Sequence, residues 1–174
     1  MWENKPTMSR VKKLLYSLTA GFTAALITLY IAGGQPGEYK VSLATTLPPE
    51  KILPYLTEPD LIKKWMPAIV SSTPLTQGGV RQGAKSRDII NADGREIVAE
   101  AEIIELIPGR ILTVRVTLEN LEAISFFRFV PGGLEHTQQV RYKGILRPLS
   151  PFMHTVAQRQ LEADFGRLKT LLPQ

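Results

Sequence analysis

Cysteine is absent from the chain, which excludes a disulfide framework, thiolate metal sites and a cysteine nucleophile. Histidine is scarce: His136 and His154 are the only two, too few for a histidine-built metal centre. No nucleophile elbow, phosphate loop or metal-ligand spacing occurs, so no cofactor and no metal are expected. Internal repeats and low-complexity tracts are lacking as well. What remains, 174 residues at 44% hydrophobic and 21% charged, is an ordinary globular composition for one domain plus a short extra segment.

A charge excess is missing from most of the chain too. The net charge is +5, but Lys5, Arg10, Lys12 and Lys13 against Glu3 already place +3 in residues 1–34. The other 140 residues carry 17 bases against 15 acids, which is +2. A balanced domain behind a basic arm has no phosphate-tracking stripe, so nucleic acid is not an expected partner.

What the chain does have is an uncharged stretch from Leu14 to Gly37, with a near-continuous apolar run over Leu14–Ala32. Those residues, as a helix rising ~1.5 Å each, span ~28 Å, close to a bilayer core. Tyr16 and Tyr30 fall near its ends, where amphipathic rings favour the interface. Arg10, Lys12 and Lys13 precede the run and only Lys40 follows closely, so the N-terminus is expected in the cytoplasm and the rest exported. The alternative is a cleaved signal peptide, with Ala32-Gly33-Gly34 as the small-residue site and secretion as the outcome. The organisation expected is a basic arm (1–13), an anchor or signal (14–34), a linker (35–38) and one domain (39–174).

Within the domain, Tyr39 to Ala44 alternates as a first strand. Pro48-Pro49-Glu50 opens a short helix to about Tyr55, and Thr57 is expected to cap a second, Pro59 to Trp65. Strands are then expected over Ala84–Asn91, Arg95–Leu106, Ile111–Leu118, Leu121–Val130 and Gln138–Leu146, with another near Ile69–Leu75. Ala92-Asp93-Gly94 reads as a hairpin turn because Asp-Gly tolerates positive φ. A long helix closes the chain, with Ser150 as expected N-cap and Val156, Leu161, Phe165, Leu168 and Leu172 as its apolar face.

Alternation sorts each strand into two faces. The apolar face brings Ala99, Ala101, Val114, Val116, Phe127 and Val140 together with the polar Ser86, Asp88, Ser125, Gln138 and Tyr142. Small residues and a few convergent polar groups on a curved sheet are the makings of a ligand pocket. Asp88 and Tyr142 are the inward candidates for acid–base chemistry, Asp88 the weak catalytic candidate of the two, while both histidines are expected at the surface. Leu149, Phe152 and Met153, between the last strand and the last helix, form a candidate entrance. They could touch a bilayer or pack inward.

The order of strand, two short helices, antiparallel meander and long terminal helix resembles the helix-grip fold of the START-like (SRPBCC) superfamily. That superfamily includes polyketide cyclase/dehydrase and lipid-transport proteins. The local residues agree: Pro48-Pro49-Glu50-Lys51-Ile52, Tyr55-Leu56-Thr57-Glu58-Pro59, Lys64-Trp65-Met66-Pro67, Gly83, Ile107-Pro108-Gly109-Arg110 and Leu168-Lys169-Thr170-Leu171-Leu172. The likeness runs from Tyr39 to Leu172. One departure is Glu135-His136-Thr137-Gln138-Gln139 ahead of Val140, where the family often shows Gly-Thr and alternating apolar residues. The resemblance implies an α+β fold, a curved antiparallel sheet wrapped around a long C-terminal helix, here preceded by the expected transmembrane helix. It also implies a hydrophobic ligand between sheet and helix, and brings no catalytic residues. The expected function is a membrane-tethered carrier or binding protein for a lipid, isoprenoid quinone or polyketide-like molecule, with Tyr142, Gln138 and Ser125 orienting any polar head. The alternatives are a cyclase/dehydratase-like enzyme in the same cavity, or a protein-interaction module. The bilayer and the small molecule are the expected partners; the sequence points to no protein partner.

Overall fold

The structure, a computed structural model, describes residues 10–173 except residue 93, with side chains described from residue 19 onward. A helix, α1 (Arg10–Ala32), leads into β1 (Gly37–Ala44), then α2 (Pro49–Thr57) and α3 (Pro59–Trp65). Six strands follow: β2 (Ile69–Pro74), β3 (Lys85–Ala92), β4 (Arg95–Ile107), β5 (Ile111–Leu118), β6 (Leu121–Val130) and β7 (Gly133–Tyr142). A 3-10 segment (Gly144–Leu149) then feeds α4 (Ser150–Leu171). The strands form one antiparallel sheet in the order β1-β7-β6-β5-β4-β3-β2. The N-terminal strand thus pairs with the C-terminal one.

The expected alternation holds over most of the meander, with a register shift in β4 between Ile103 and Glu105 and with Thr113 of β5, expected on the wet face, buried. On β4, Ala99 is 1% exposed and its neighbour Val98 58%, as one covered face requires. The core lies between that face and the helices: Leu161, Phe165, Leu168 and Leu172 meet Phe127 and Leu134 of the sheet and Ile52, Leu56 and Trp65 of α2 and α3. The Trp65 indole packs edge-on against Phe165 with centroids 5.7 Å apart, and its N–H donates to the Tyr55 carbonyl at 2.8 Å. Arg167 ties α4 to α3 by donating to the Trp65 carbonyl at 3.0 Å, and it pairs with the buried Asp164.

Several sequence expectations are corrected. The last strand begins at Gly133, not Gln138, because the two-residue turn Pro131-Gly132 brings Gly133 directly opposite Val130. It ends at Tyr142, not Leu146. Gly144, at φ +53°, turns the chain out of the sheet with a backbone that side-chain-bearing residues avoid. Thr57 does not cap α3: it closes α2, its hydroxyl donating to the Leu53 carbonyl, and Glu58 stands at the α3 cap. Ser150 is the first residue of α4 rather than its cap, since the 3-10 segment runs straight into the helix and the Ser150 N–H donates to the Arg147 carbonyl. Val156 is 61% exposed and leaves the apolar face of α4.

The first five residues of the expected membrane span, 14–18, lie outside the described side chains. Among the described residues no helix is long and apolar enough to cross a membrane. Outside the described residues also lie most of the basic arm and the hairpin residue Asp93.

Candidate functional site

The concave face is built in lateral rows. Antiparallel register aligns Val140, Ala123, Val116, Ala101 and Ser86 across β7, β6, β5, β4 and β3. The next row is Tyr39, Gln138, Ser125, Val114 and Ile103, and the one beyond holds Val41, His136, Phe127 and Leu112. Asp88 stands opposite Ala99, and Tyr142 opposite Leu121. All eleven residues read from the sequence as ligand-facing therefore lie on one face of one sheet.

Their cover is uneven. Ala99, Ala123, Phe127, Val140 and Tyr142 are buried, whereas Ser86, Ala101, Val114, Val116 and Gln138 are half-buried. The reason is the seat of α4, which packs along β1: His154 contacts the Tyr39 ring at 5.1 Å and Gln158 donates to the Lys40 carbonyl at 3.0 Å. Over the middle of the sheet, Val114 and Val116 pack on the core yet stay partly exposed, as does Ala101, beside the fully covered Ala99 and Leu112.

Polar groups punctuate this surface. The Ser86 hydroxyl donates to the Asp88 carboxylate at 3.0 Å, so Asp88, although buried, has a local partner. Burial pushes the Tyr39 and Tyr142 phenols above their ordinary range, with Tyr39 adding to the effect on Tyr142. Both are therefore neutral donors at physiological pH. Among the described residues no three acidic or histidine side chains converge as metal ligands.

His136 is the residue that sequence reasoning misplaced. It lies not in a surface turn but in β7, between β1 and β6, and is 3% exposed. Its ring stacks on Phe127 at 4.3 Å and Phe165 at 5.0 Å. Neither ring nitrogen has a hydrogen-bond partner. Burial in this aromatic stack lowers its pKa to about 4, so the imidazole is neutral and offers one donor and one acceptor to the interior. A buried polar group left unpaired costs about 1–3 kcal/mol, which makes His136 a point where an added hydrogen bond has the most to gain. The signal in the sequence was its even spacing with Gln138, Val140 and Tyr142. His154 does lie at the surface.

The expected entrance divides. Leu149 and Phe152 are 50% and 66% exposed, whereas Met153 packs inward on the core. A second opening, a cleft of about 240 Å³, lies between α2 and the β4–β5 turn, with Leu53, Leu106, Ile107 and Phe129 on its walls and Glu50 and Glu58 at its rim.

A curved antiparallel sheet gripping one long helix, with an apolar and partly open concave face, defines the helix-grip class of α+β proteins. The model of the polyketide cyclase / dehydrase and lipid transport family matches residues 38–173. The chain belongs to that family, of SRPBCC type, whose members generally bind hydrophobic small molecules. Solved structures share the fold. A Rhizobium leguminosarum protein superposes with a TM-score of 0.59 at 15% identity, over 79% of this chain and 95% of its own. Ara h 8.0201 gives 0.57 at 15% identity, over 79% and 97%. A Mesorhizobium loti protein gives 0.56 at 22% identity, over 78% and 96%. No curated protein matches the sequence.

Proposed function

We propose that the protein is a membrane-tethered carrier or binding protein for a hydrophobic small molecule, of the lipid, isoprenoid quinone or polyketide-like kind, held between the sheet and α4. The observation that carries this reading is the half-open apolar concave face around Ala101, Val114 and Val116, which α4 leaves unsealed. Burying ligand there contributes about 25 cal/mol per Å² of apolar area. Gln138, Ser125 and Tyr142 orient a polar head, and His136 supplies the unpaired donor and acceptor deeper in the same interior. Asp88 already accepts from Ser86, which favours a binding role for this face over an acid–base one.

The tether is α1. Phe22, Ile27 and Ile31 are 67%, 54% and 65% exposed, an uncovered apolar surface that water does not favour. With the charge asymmetry of the flanks, this supports an N-terminus in the cytoplasm and the domain on the exported face.

The test is native mass spectrometry with solvent extraction on residues 35–174. This span contains the whole matched family region, and relatives fold with little beyond it. One hydrophobic molecule per chain is the expected result. An empty domain that also takes up no lipid or quinone from a panel would overturn the reading. Turnover of a bound compound that is lost in Asp88→Asn would move it to the enzyme class.

A further inference from the structure

The C-terminal end of α1 does not simply lead into the domain; it docks on the 3-10 segment. Gly33 is buried with its Cα against the Arg147 carbonyl, and Gly34 lies against the Arg147 guanidinium. That guanidinium sits over the Tyr30 ring, 4.5 Å from its centroid. At Gly33 only glycine permits so close an approach, because a Cβ there would overlap the Arg147 backbone carbonyl; at Gly34 a Cβ would meet only the movable guanidinium. The docking encloses a cleft of about 320 Å³, walled by Tyr30 and Gly34 on one side and by Arg141, Tyr142, Lys143 and Arg147 on the other.

Three cations line this cleft in a domain whose charge is otherwise nearly balanced. Among the described residues their one carboxylate partner is Glu122, which accepts from Lys143 at 3.0 Å. The Lys143 ammonium holds that carboxyl below its usual range, with Arg115 and Arg141 adding to the effect. No ion pair among the described residues involves Arg141 or Arg147. The Arg147 Nε is buried with no acceptor, a guanidinium N–H withdrawn from water whose charge is offset only by the Tyr30 ring beneath it. An anion with several acceptor oxygens in the cleft would pair with the guanidinium that lines it, since guanidinium groups match phosphate geometry with paired N–H donors.

We propose that this cleft is a phosphate-binding site. Its setting bears on where the phosphate comes from. Ile145, Leu149, Phe152 and Val156 are 84%, 50%, 66% and 61% exposed, and they flank Arg147 along the chain at spacings of four, three and four. Exposed apolar side chains beside cations are how proteins seat at the headgroup level of a bilayer. A lipid headgroup is one source and free phosphate the other. The phosphate chemistry stands on the cleft alone; the lipid source rests on the tethering proposed above.

The test uses the full chain in neutral-detergent micelles, titrated calorimetrically in separate arms with inorganic phosphate, phosphatidylglycerol and phosphatidylcholine. Saturable binding is expected, weakened at least tenfold in Arg147→Gln and several-fold in Arg141→Gln, an exposed side chain whose loss leaves the fold intact. Binding of phosphatidylglycerol without inorganic phosphate identifies the headgroup as the ligand; binding of inorganic phosphate identifies the free ion. The proposal is overturned if neither binds. It is equally overturned if both substitutions leave affinity within twofold while a variant with Arg10, Lys12 and Lys13 changed to Gln loses it. An interior ligand found by mass spectrometry is unaffected by either result, so the two readings fail independently.

Discussion

The two halves of α4 make unlike interfaces from one continuous helix. In the C-terminal half, Leu161, Phe165 and Leu168, with Leu172 just past its end, are buried against the sheet, α2 and α3. In the N-terminal half Met153 and Ala157 pack on the core and His154 touches the Tyr39 ring, while Phe152 and Val156 point to solvent. One half behaves as a clamp that holds the fold. The other half rests along β1 and leaves the concave face open, next to the 3-10 segment on which α1 docks. Stability thus rests on one stretch of α4, and the proposed binding face lies beside the other.

Substitutions can break that division. Leu168→Ala, at a side chain with no exposure, is expected to cost about 3–5 kcal/mol by urea denaturation, from lost transfer energy and the cavity left behind. A smaller loss than at Val156 would erase the distinction between the halves.

His136 gives the next largest effect, and it depends on pH. Its folded pKa is about 4, against about 6.5 when unfolded. The unfolded chain therefore binds the proton first. Stability present above pH 6.5 falls as pH drops and is lost through pH 4, on the order of 3 kcal/mol in all. His136→Phe keeps the stack and removes the titration. Its stability curve should lack this step and lie about 1–2 kcal/mol higher at pH 7, where the unpaired nitrogens are gone. An identical acid profile for both proteins would show that the imidazole does not titrate in isolation.

The weakest effects on stability belong to the open half. Phe152→Ser with Val156→Ser should change unfolding free energy by no more than about 0.5 kcal/mol per site, while lowering vesicle association of the full chain in flotation assays. Gly33→Ala should likewise spare the domain's unfolding transition. Its added Cβ meets the Arg147 carbonyl, so it should part α1 from the 3-10 segment, seen as faster amide hydrogen exchange over Gly144–Leu149. Unchanged exchange there would mean that the docking tolerates a methyl group.

The sequence was most informative where one physical signal dominates. Alternation sorted most of β4, β5 and β6, because each has one wet face, and Pro49, Pro59 and Pro67 framed the two short helices; it missed the register shift of β4 after Ile103 and the burial of Thr113, read as wet but 1% exposed and bonded to Glu105. Reading failed where the signal was mixed. Gly133 to Thr137 carries Glu135 and His136, which mimic a loop; only pairing with both β1 and β6 makes it a central strand. Val156 stands five residues before Leu161, a spacing that leaves the helical stripe; Met153 and Ala157 are the residues of that turn that face the core, which turns Val156 outward. The cation cleft was not legible at all, since Arg141 and Arg147 meet Tyr30 only through the turn at Gly144 and the docking of α1.

The central claim is that the open concave face holds the ligand, and Ala101 tests it most directly. The residue is half-buried, small and placed between Ser86 and Val116. Native mass spectra of residues 35–174 and of their Ala101→Phe variant should differ by one bound hydrophobic molecule, present in the first and absent from the second, at closely matched melting temperatures. Equal occupancy in both, or none in either, would contradict the account.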